Sequence, residues 1–247
     1  MKEIYTKPSA ILPVPNKFCP GCNHSLISKL IAEVTDEMGE TDRTIAIMPI
    51  GCGGMIGSYL NYDVISALHG RASAVASGVK RIRTDKLVFA YQGDGDLASI
   101  GMAETIHAAN RGENITVIFV NNAIFGMTGG QMAPTTLVGQ KATTAPGGRD
   151  PSVHGYPMKM CELIDSLEAP AYIARFAVNT PANVLQAKKG IRHAFEIQKA
   201  GKGYSFVEIL SACPTCWGLS PQKAMEFVGG PMIENYPLGV VRDVEMG

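Results

Sequence analysis

The sequence predicts an α/β protein built on a mostly parallel, doubly wound sheet with helices on both faces. Three observations support this. Short β-branched runs each end at a glycine or asparagine cluster, helically periodic stretches lie between them, and one glycine-rich turn follows a strand. Ligands of such a sheet belong at the carboxyl ends of its strands.

With 247 residues, 46% of them hydrophobic, the chain can bury a sizeable core, and residues 1–247 are expected to form one domain. Residues 1–18 contain Pro8, Pro13 and Pro15, which remove backbone donors, so this segment is expected to be an extended arm over a surface or partner. Leu26, Leu30, Ile31 and Val34 recur at three- and four-residue intervals, which predicts a helix over 25–38 ended by Gly39. Buried parallel strands are expected over 44–50, 86–92 and 115–120, with helices over 71–83 and 97–111. Residues 126–156, rich in Gly, Thr and Pro, read as a long ordered loop with a task. Thr180 and Pro181 have the chemistry of a helix start, which predicts a helix to residue 200, then a strand over 204–210. If that strand is parallel, it brings residues 211–216 to the same edge as the glycine-rich turn.

Lysine plus arginine equals aspartate plus glutamate at 22 each, so no net field draws the chain to nucleic acid or to an acidic membrane, and any anion must be bound locally. No window approaches eighteen consecutive apolar residues, and the first residues lack the apolar stretch of a secretory signal, so a cytoplasmic location is expected. In a reducing cytosol six cysteines are available to metals or catalysis rather than to disulfides.

Gly93-Asp94-Gly95-Asp96 sits where a strand turns into a helix, a place where free amides and the helix dipole favour phosphate. Gly93-x-Gly95-x-x-Ala98 also satisfies a dinucleotide-binding pattern, and an ordinary turn capped by Asp94 is a third reading. Asp94 beside a diphosphate is tolerable only with a cation between them, for which Mg²⁺ is the natural choice. Asn122, 28 residues after Asp94, comes from the next strand end, and its amide oxygen and the Ile124 carbonyl are candidates for the remaining protein ligands. A nicotinamide site would want an acidic residue where Asn121 and Asn122 stand.

Gly93-Asp94-Gly95 followed by Asn121-Asn122 resembles the metal-diphosphate motif of thiamine diphosphate enzymes. The resemblance implies a thiamine diphosphate-binding fold in which Asp94, Asn122 and the Ile124 carbonyl hold Mg²⁺, while Gly95 and Asp96 contact the cofactor.

Cys19-x-x-Cys22 alone is compatible with zinc, an iron–sulfur cluster or a redox dithiol. A thioredoxin-like dithiol would follow a strand, whereas a proline-punctuated arm precedes this one. Zinc would pair it with the distant Cys213-x-x-Cys216. Cys52, in Ile50-Gly51-Cys52-Gly53-Gly54, follows a strand and favours a [4Fe–4S] cluster on Cys19, Cys22, Cys52 and Cys213, with Cys216 as a substitute. Cys161 reads as a small buried hydrophobe in a helical stretch over 158–167.

Cys19-Pro20-Gly21-Cys22-x-His24, Ile50-Gly51-Cys52, His69-Gly70-Arg71, Gly93-Asp94-Gly95-Asp96 and Cys213-Pro214 occur in one order, similar to that of 2-oxoacid:ferredoxin oxidoreductase β subunits. Asn23 departs from the glycine common there. The resemblance implies that Ile50, Gly51, Cys52, Gly53, His69, Gly126 and Met127 join the cofactor site, with His69 on a diphosphate oxygen. It further implies that a 2-oxoacid loses CO₂, that electrons pass through the cluster to ferredoxin, and that coenzyme A takes the acyl group. No protein nucleophile is needed, because the cofactor carries the chemistry. The activating glutamate belongs to an α subunit, and γ and ferredoxin-like subunits are expected partners. The short single-domain chain resembles those of multi-subunit 2-oxoisovalerate and 2-oxoglutarate:ferredoxin oxidoreductases, which implies a branched-chain 2-oxoacid or 2-oxoglutarate as substrate, with pyruvate also open. Two rival readings stand beside this one: a non-oxidative thiamine enzyme of the decarboxylase or acetolactate synthase type, and a non-catalytic iron–sulfur or zinc assembly subunit. His24 reads equally as a cofactor or cluster neighbour and as a structural residue. His107, His154 and His193 read as surface or core residues, and Lys188, Lys189 and Arg192 as a solvated face.

Overall fold

The computed structural model describes residues 6–244; residues 1–5 of the expected arm lie outside them. The described elements run α1 (His24–Glu37), β1 (Thr44–Met48), β2 (Asp63–Ser66), α2 (Ala72–Ile82), β3 (Leu87–Gly93), α3 (Met102–Asn110) and β4 (Thr116–Asn121). After a long loop come α4 (Pro151–His154), α5 (Met160–Asp165), β5 (Tyr172–Ala177), α6 (Pro181–Lys199), β6 (Ser205–Leu210), α7 (Pro214–Trp217), α8 (Pro221–Phe227), α9 (Ile233–Asn235) and β7 (Gly239–Asp243). The strands form one sheet in the order β2-β1-β3-β4-β6-β5-β7, parallel except for β7, which pairs antiparallel with β5. β1, β3, β4 and β6 are buried apart from the last residue of β3, which is why they appear in the sequence as nearly continuous apolar runs.

One apolar layer packs α1 and α6 on one face of the sheet, and a second packs α2, α3 and α5 on the other. The periodic face of α1 buries Ile27, Leu30, Ile31 and Val34, each contributing roughly 1.5–3 kcal/mol. α6 begins as its sequence predicts, with Thr180 Oγ1 accepting from the Asn183 amide and Pro181 in the first turn. It lies so close to β5 that a methyl group on Gly190 would overlap the Phe176 ring. Gly190→Ala is therefore expected to cost about 1–3 kcal/mol through overpacking, read as a lower thermal midpoint. A midpoint equal to the parent's would show that the helix can slide away freely.

Several sequence expectations change. Strands β2, β5 and β7 were not anticipated. The helix expected over 97–111 begins instead as a π-helical turn, Gly95–Ile100, and becomes α3 only after Gly101. Gly101 sits against the Gly70 backbone with no room for a side chain, so the break is the imprint of the neighbouring turn. The described part of the arm meets its own fold at residues 10–12, where Ala10 is fully buried and the Leu12 amide donates to the Tyr59 carbonyl at 2.7 Å, while residues 13–17 are exposed. Lys188 and Arg192 are not simply solvated, because Lys188 bonds Glu33 and Glu37 of α1 and Arg192 bonds Glu37. Cys161 is buried as expected, yet its thiol donates to Glu208 Oε2 at 3.2 Å, so its surroundings are polar. The same carboxylate takes Arg175 Nε at 2.8 Å inside β5.

Candidate active site

Parallel strands deliver their carboxyl ends to one edge, and the sheet order puts four informative ends side by side. β1 leads to Cys52, β3 to Asp94, β4 to Asn122 and β6 to Cys213. A crevice opens there. Its lining includes Ile50, Gly51, Cys52, Gly53, His69, Gly95, Asp96, Asn122, Gly126 and Met127, together with Asp94 and Ile124. His24, Phe125 and Thr128 also line it. Met127 is half exposed in the crevice mouth.

Asp94 is almost fully buried, and its carboxylate accepts from Gly95 N at 2.8 Å, Ile124 N at 3.1 Å and Thr135 Oγ1 at 2.6 Å. Burial pushes its carboxyl up to about 7 even against these hydrogen bonds, so the charged form calls for a positive partner. The Asn122 side-chain oxygen lies 2.7 Å from the Ile124 carbonyl oxygen and 3.1 Å from Asp94 Oδ1. With the amide turned this way, its oxygen, the Ile124 carbonyl and the Asp94 carboxylate make a donor set suited to a hard dication. Without a cation, the amide turned over would donate to the other two. The residues present therefore fit Mg²⁺. Gly95 fits a bare approach too, since any side chain there would overlap the Phe125 ring.

Asp96 faces inward. Its carboxylate accepts from the Gly70 amide at 2.8 Å and from Gln92 Nε2 at 2.6 Å, and it contacts His69 Nδ1. The His69 ring abuts this carboxylate, but its buried Nδ1 makes no hydrogen bond there.

Cys19, Cys22, Cys52, Cys213 and Cys216 gather beside the same crevice. Burial first, and then nearby Cys52, Cys19 and Cys216, push the Cys22 thiol up to about 11. Cys52 and Cys213 are raised by burial first and then by their neighbours, Cys216 among them. A cationic group among them would reverse this and draw off the protons. Among the described residues, no three His, Cys, Asp or Glu side chains close on a single ion. A Cβ on Gly126 would lie 3.6 Å from both Cys52 Sγ and Cys213 Sγ, so the loop after the Asp94–Asn122–Ile124 oxygens runs directly beneath the sulfurs. Asn23 pins the Cys19–Cys22 turn to the end of β6, its Oδ1 accepting from the Ala212 amide at 2.7 Å. The residue that departs from the family's usual glycine thus has a structural task. His24 Nδ1 pairs with the Tyr91 hydroxyl at 2.6 Å, and burial lowers the imidazole to about 4, leaving it neutral near pH 7.

Sequence reasoning missed Gln92, Thr135, Arg149 and Trp217. Gln92 left a signal, being a polar residue inside a buried run, and such residues need partners. Thr135 left none, as 41 residues separate it from Asp94. Trp217 Nε1 donates to the Asn122 carbonyl at 3.1 Å, and Arg149 ties the long loop together with bonds to Ala133, Pro134, Thr136, His154, Gly155 and Tyr156 carbonyls.

The family described as thiamine pyrophosphate enzyme, C-terminal TPP binding domain, matches residues 49–209. Ketoisovalerate oxidoreductase subunit VorA of Methanothermobacter marburgensis is 46% identical over 243 residues, 98% of this chain and 51% of the relative. The chain thus spans about half the length of that relative. 2-Oxoglutarate synthase subunit KorB of Methanocaldococcus jannaschii is 38% identical over 207 residues, 83% of this chain and 72% of the relative. Among solved structures, the 2-oxoglutarate:ferredoxin oxidoreductase from Magnetococcus marinus, with 2-oxoglutarate, coenzyme A and succinyl-CoA bound, matches with a TM-score of 0.77 and 27% identity. That match covers 98% of this chain and 86% of the other. A glycine-aspartate turn facing converged oxygens, and family matches that run through it, lead to one conclusion: the chain belongs to the thiamine pyrophosphate enzymes, among the subunits of the 2-oxoacid:ferredoxin oxidoreductases.

Proposed function

We propose that the chain is the β part of an assembled 2-oxoacid:ferredoxin oxidoreductase that converts a 2-oxoacid and coenzyme A to acyl-CoA and CO₂, passing electrons through a [4Fe–4S] cluster to ferredoxin. The observation that carries this reading is Gly126, a few residues beyond the Asp94–Asn122–Ile124 oxygens and directly beneath Cys52 and Cys213. On this reading the cofactor site and the cysteine group would be one place. When bound, thiamine diphosphate would supply an electron sink for decarboxylation and the cluster a one-electron exit.

The chain's own residues have separable tasks. Asp94, Asn122 and the Ile124 carbonyl would hold Mg²⁺ and, through it, the diphosphate. His69, on the crevice wall beside Asp96, would meet a phosphate oxygen. Cys19, Cys22, Cys52 and Cys213 would hold iron, giving up their protons as it binds. The neutral His24–Tyr91 pair would add no charge beside it. The pyrimidine-side base would come from an α subunit, with γ and ferredoxin-like subunits completing a cytoplasmic complex. No described helix is long and apolar enough to cross a membrane.

The test is anaerobic co-purification with neighbouring subunits, followed by iron, acid-labile sulfide and thiamine diphosphate analysis and ferredoxin reduction with 2-oxoisovalerate or 2-oxoglutarate. Iron and sulfide in equal amounts, bound cofactor and coenzyme A-dependent reduction are expected. Thiamine diphosphate without iron would point to a non-oxidative enzyme, and iron or zinc without cofactor to an assembly subunit.

A further inference from the structure

The short helix α7 touches both halves of this site. It begins at Pro214, directly after Cys213, and ends at Trp217, where Gly218 turns the chain in the left-handed region at φ 63°. From this one turn, two consecutive side chains reach the loop that carries the proposed Mg²⁺ ligands. Trp217 Nε1 donates to the Asn122 carbonyl at 3.1 Å, and the Cys216 thiol donates to the Gly126 carbonyl at 3.1 Å. The bonds fall at the two ends of the Asn122–Gly126 segment. Between them Ile124, whose carbonyl faces Asn122, packs in a small apolar cluster with Cys213, Cys216 and Trp217. The indole also packs, tilted by 60°, against Phe227 of α8, with ring centroids 4.9 Å apart.

We propose that Trp217, seconded by Cys216, is a positioning residue that couples cluster occupancy to Mg²⁺–thiamine diphosphate binding, an inference that rests on the function proposed above. The physical route is short. A cluster bound through Cys213 fixes the start of α7 and with it the indole N–H and the Cys216 thiol. Those donors hold the carbonyls of residues 122 and 126, which sets the Asn122 side chain and the Ile124 carbonyl toward Asp94. With Cys213 unbound, α7 loses one anchor and the loop loses its template. Linkage then requires reciprocity: the cofactor must tighten retention of the cluster by the same factor.

The experiment uses the anaerobically purified complex with and without its cluster, the iron being removed by oxidation and chelation, and measures thiamine diphosphate affinity at fixed Mg²⁺ by titration calorimetry. In the parent, affinity is expected to fall roughly fivefold or more on cluster removal, the lower end of ordinary coupling between sites. In Trp217→Phe, which keeps an aromatic ring against Phe227 and removes the donor, the two affinities are expected to converge while iron content stays at the parent's level. Cys216→Ala is expected to narrow the difference and Cys216→Ser, which restores a donor, to recover part of it. A purely structural tryptophan would weaken both forms equally and leave their ratio intact, which would overturn the proposal. So would a parent that binds the cofactor equally well with and without its cluster. Loss of iron in Cys216→Ser would make Cys216 a ligand rather than a clamp and would also overturn it. A parent complex holding neither iron nor thiamine diphosphate would instead defeat the functional reading itself.

Discussion

Asp94→Ala is expected to leave the purified complex without thiamine diphosphate while most of its iron and sulfide stays, less only what the several-fold weaker cluster retention required by linkage releases. The carboxylate is the one charged oxygen in the converged set, and the amide and carbonyl beside it cannot replace its Coulomb attraction for a dication. Loss of affinity should exceed roughly 100-fold, the upper end of what removing a mere supporting partner of a metal ligand costs. Truncation also strands the amides of Gly95 and Ile124 and the Thr135 hydroxyl, at about 1–3 kcal/mol for each that stays buried and unpaired. Asp94→Asn keeps the shape and one acceptor oxygen, so it separates folding from binding: it should stay folded and still lose the cofactor. None of these bonds reaches a cysteine, which is why the iron signal should survive. Cofactor assay after gel filtration, beside iron and sulfide analysis, reads both halves. Parent-level cofactor in Asp94→Asn would remove Asp94 from the metal site.

The central strands were legible because burial on both faces leaves nothing but apolar residues in Ile45–Met48, Leu87–Tyr91 and Val117–Val120. β5 was not: Arg175 interrupts its six-residue run, and the Glu208 that pairs with it inside the sheet lies in another strand, so nothing local marks the charge as buried. β2 is exposed along its whole length and only four residues long, so no pattern marks it. The landmarks Asp94, Asn122, Cys52 and Cys213 were legible for a different reason: each follows a strand by a residue or a few, and parallel pairing carries all such ends to one edge. What holds them was not, since the Thr135, Trp217 and Asn23 bonds are long-range choices with no local period. The π-helical turn after Asp94 was read as plain helix because its cause, the Gly70 backbone pressed on Gly101, lies in another segment.

Arg149→Met should disorder the long loop and weaken thiamine diphosphate binding without touching a single cofactor ligand. The guanidinium is almost fully buried and serves six backbone carbonyls from Ala133 to Tyr156, with contacts from 2.8 to 3.3 Å. A segment this poor in regular structure has few other places to satisfy its carbonyls. Methionine fills much of the volume yet offers no donor, so the loop must either admit water or open. A loss on the order of 3 kcal/mol is expected, about one or two charge-assisted bonds, since entering water replaces the rest. The consequence reaches the site through two neighbours on that loop. Thr135 loses its fixed position on Asp94 Oδ2, and Thr136 its bond to the Ala123 carbonyl at 2.7 Å. Protease cleavage should therefore appear between residues 126 and 156, and cofactor affinity should fall at least about tenfold, comparable to losing a supporting partner of a metal ligand. Circular dichroism should stay close to the parent's because the sheet does not depend on this loop. Arg149→Lys, which can reach only part of the carbonyl set, should fall between the two. Unchanged cleavage together with unchanged affinity would mean that the loop is held by its glycine turns and apolar contacts alone.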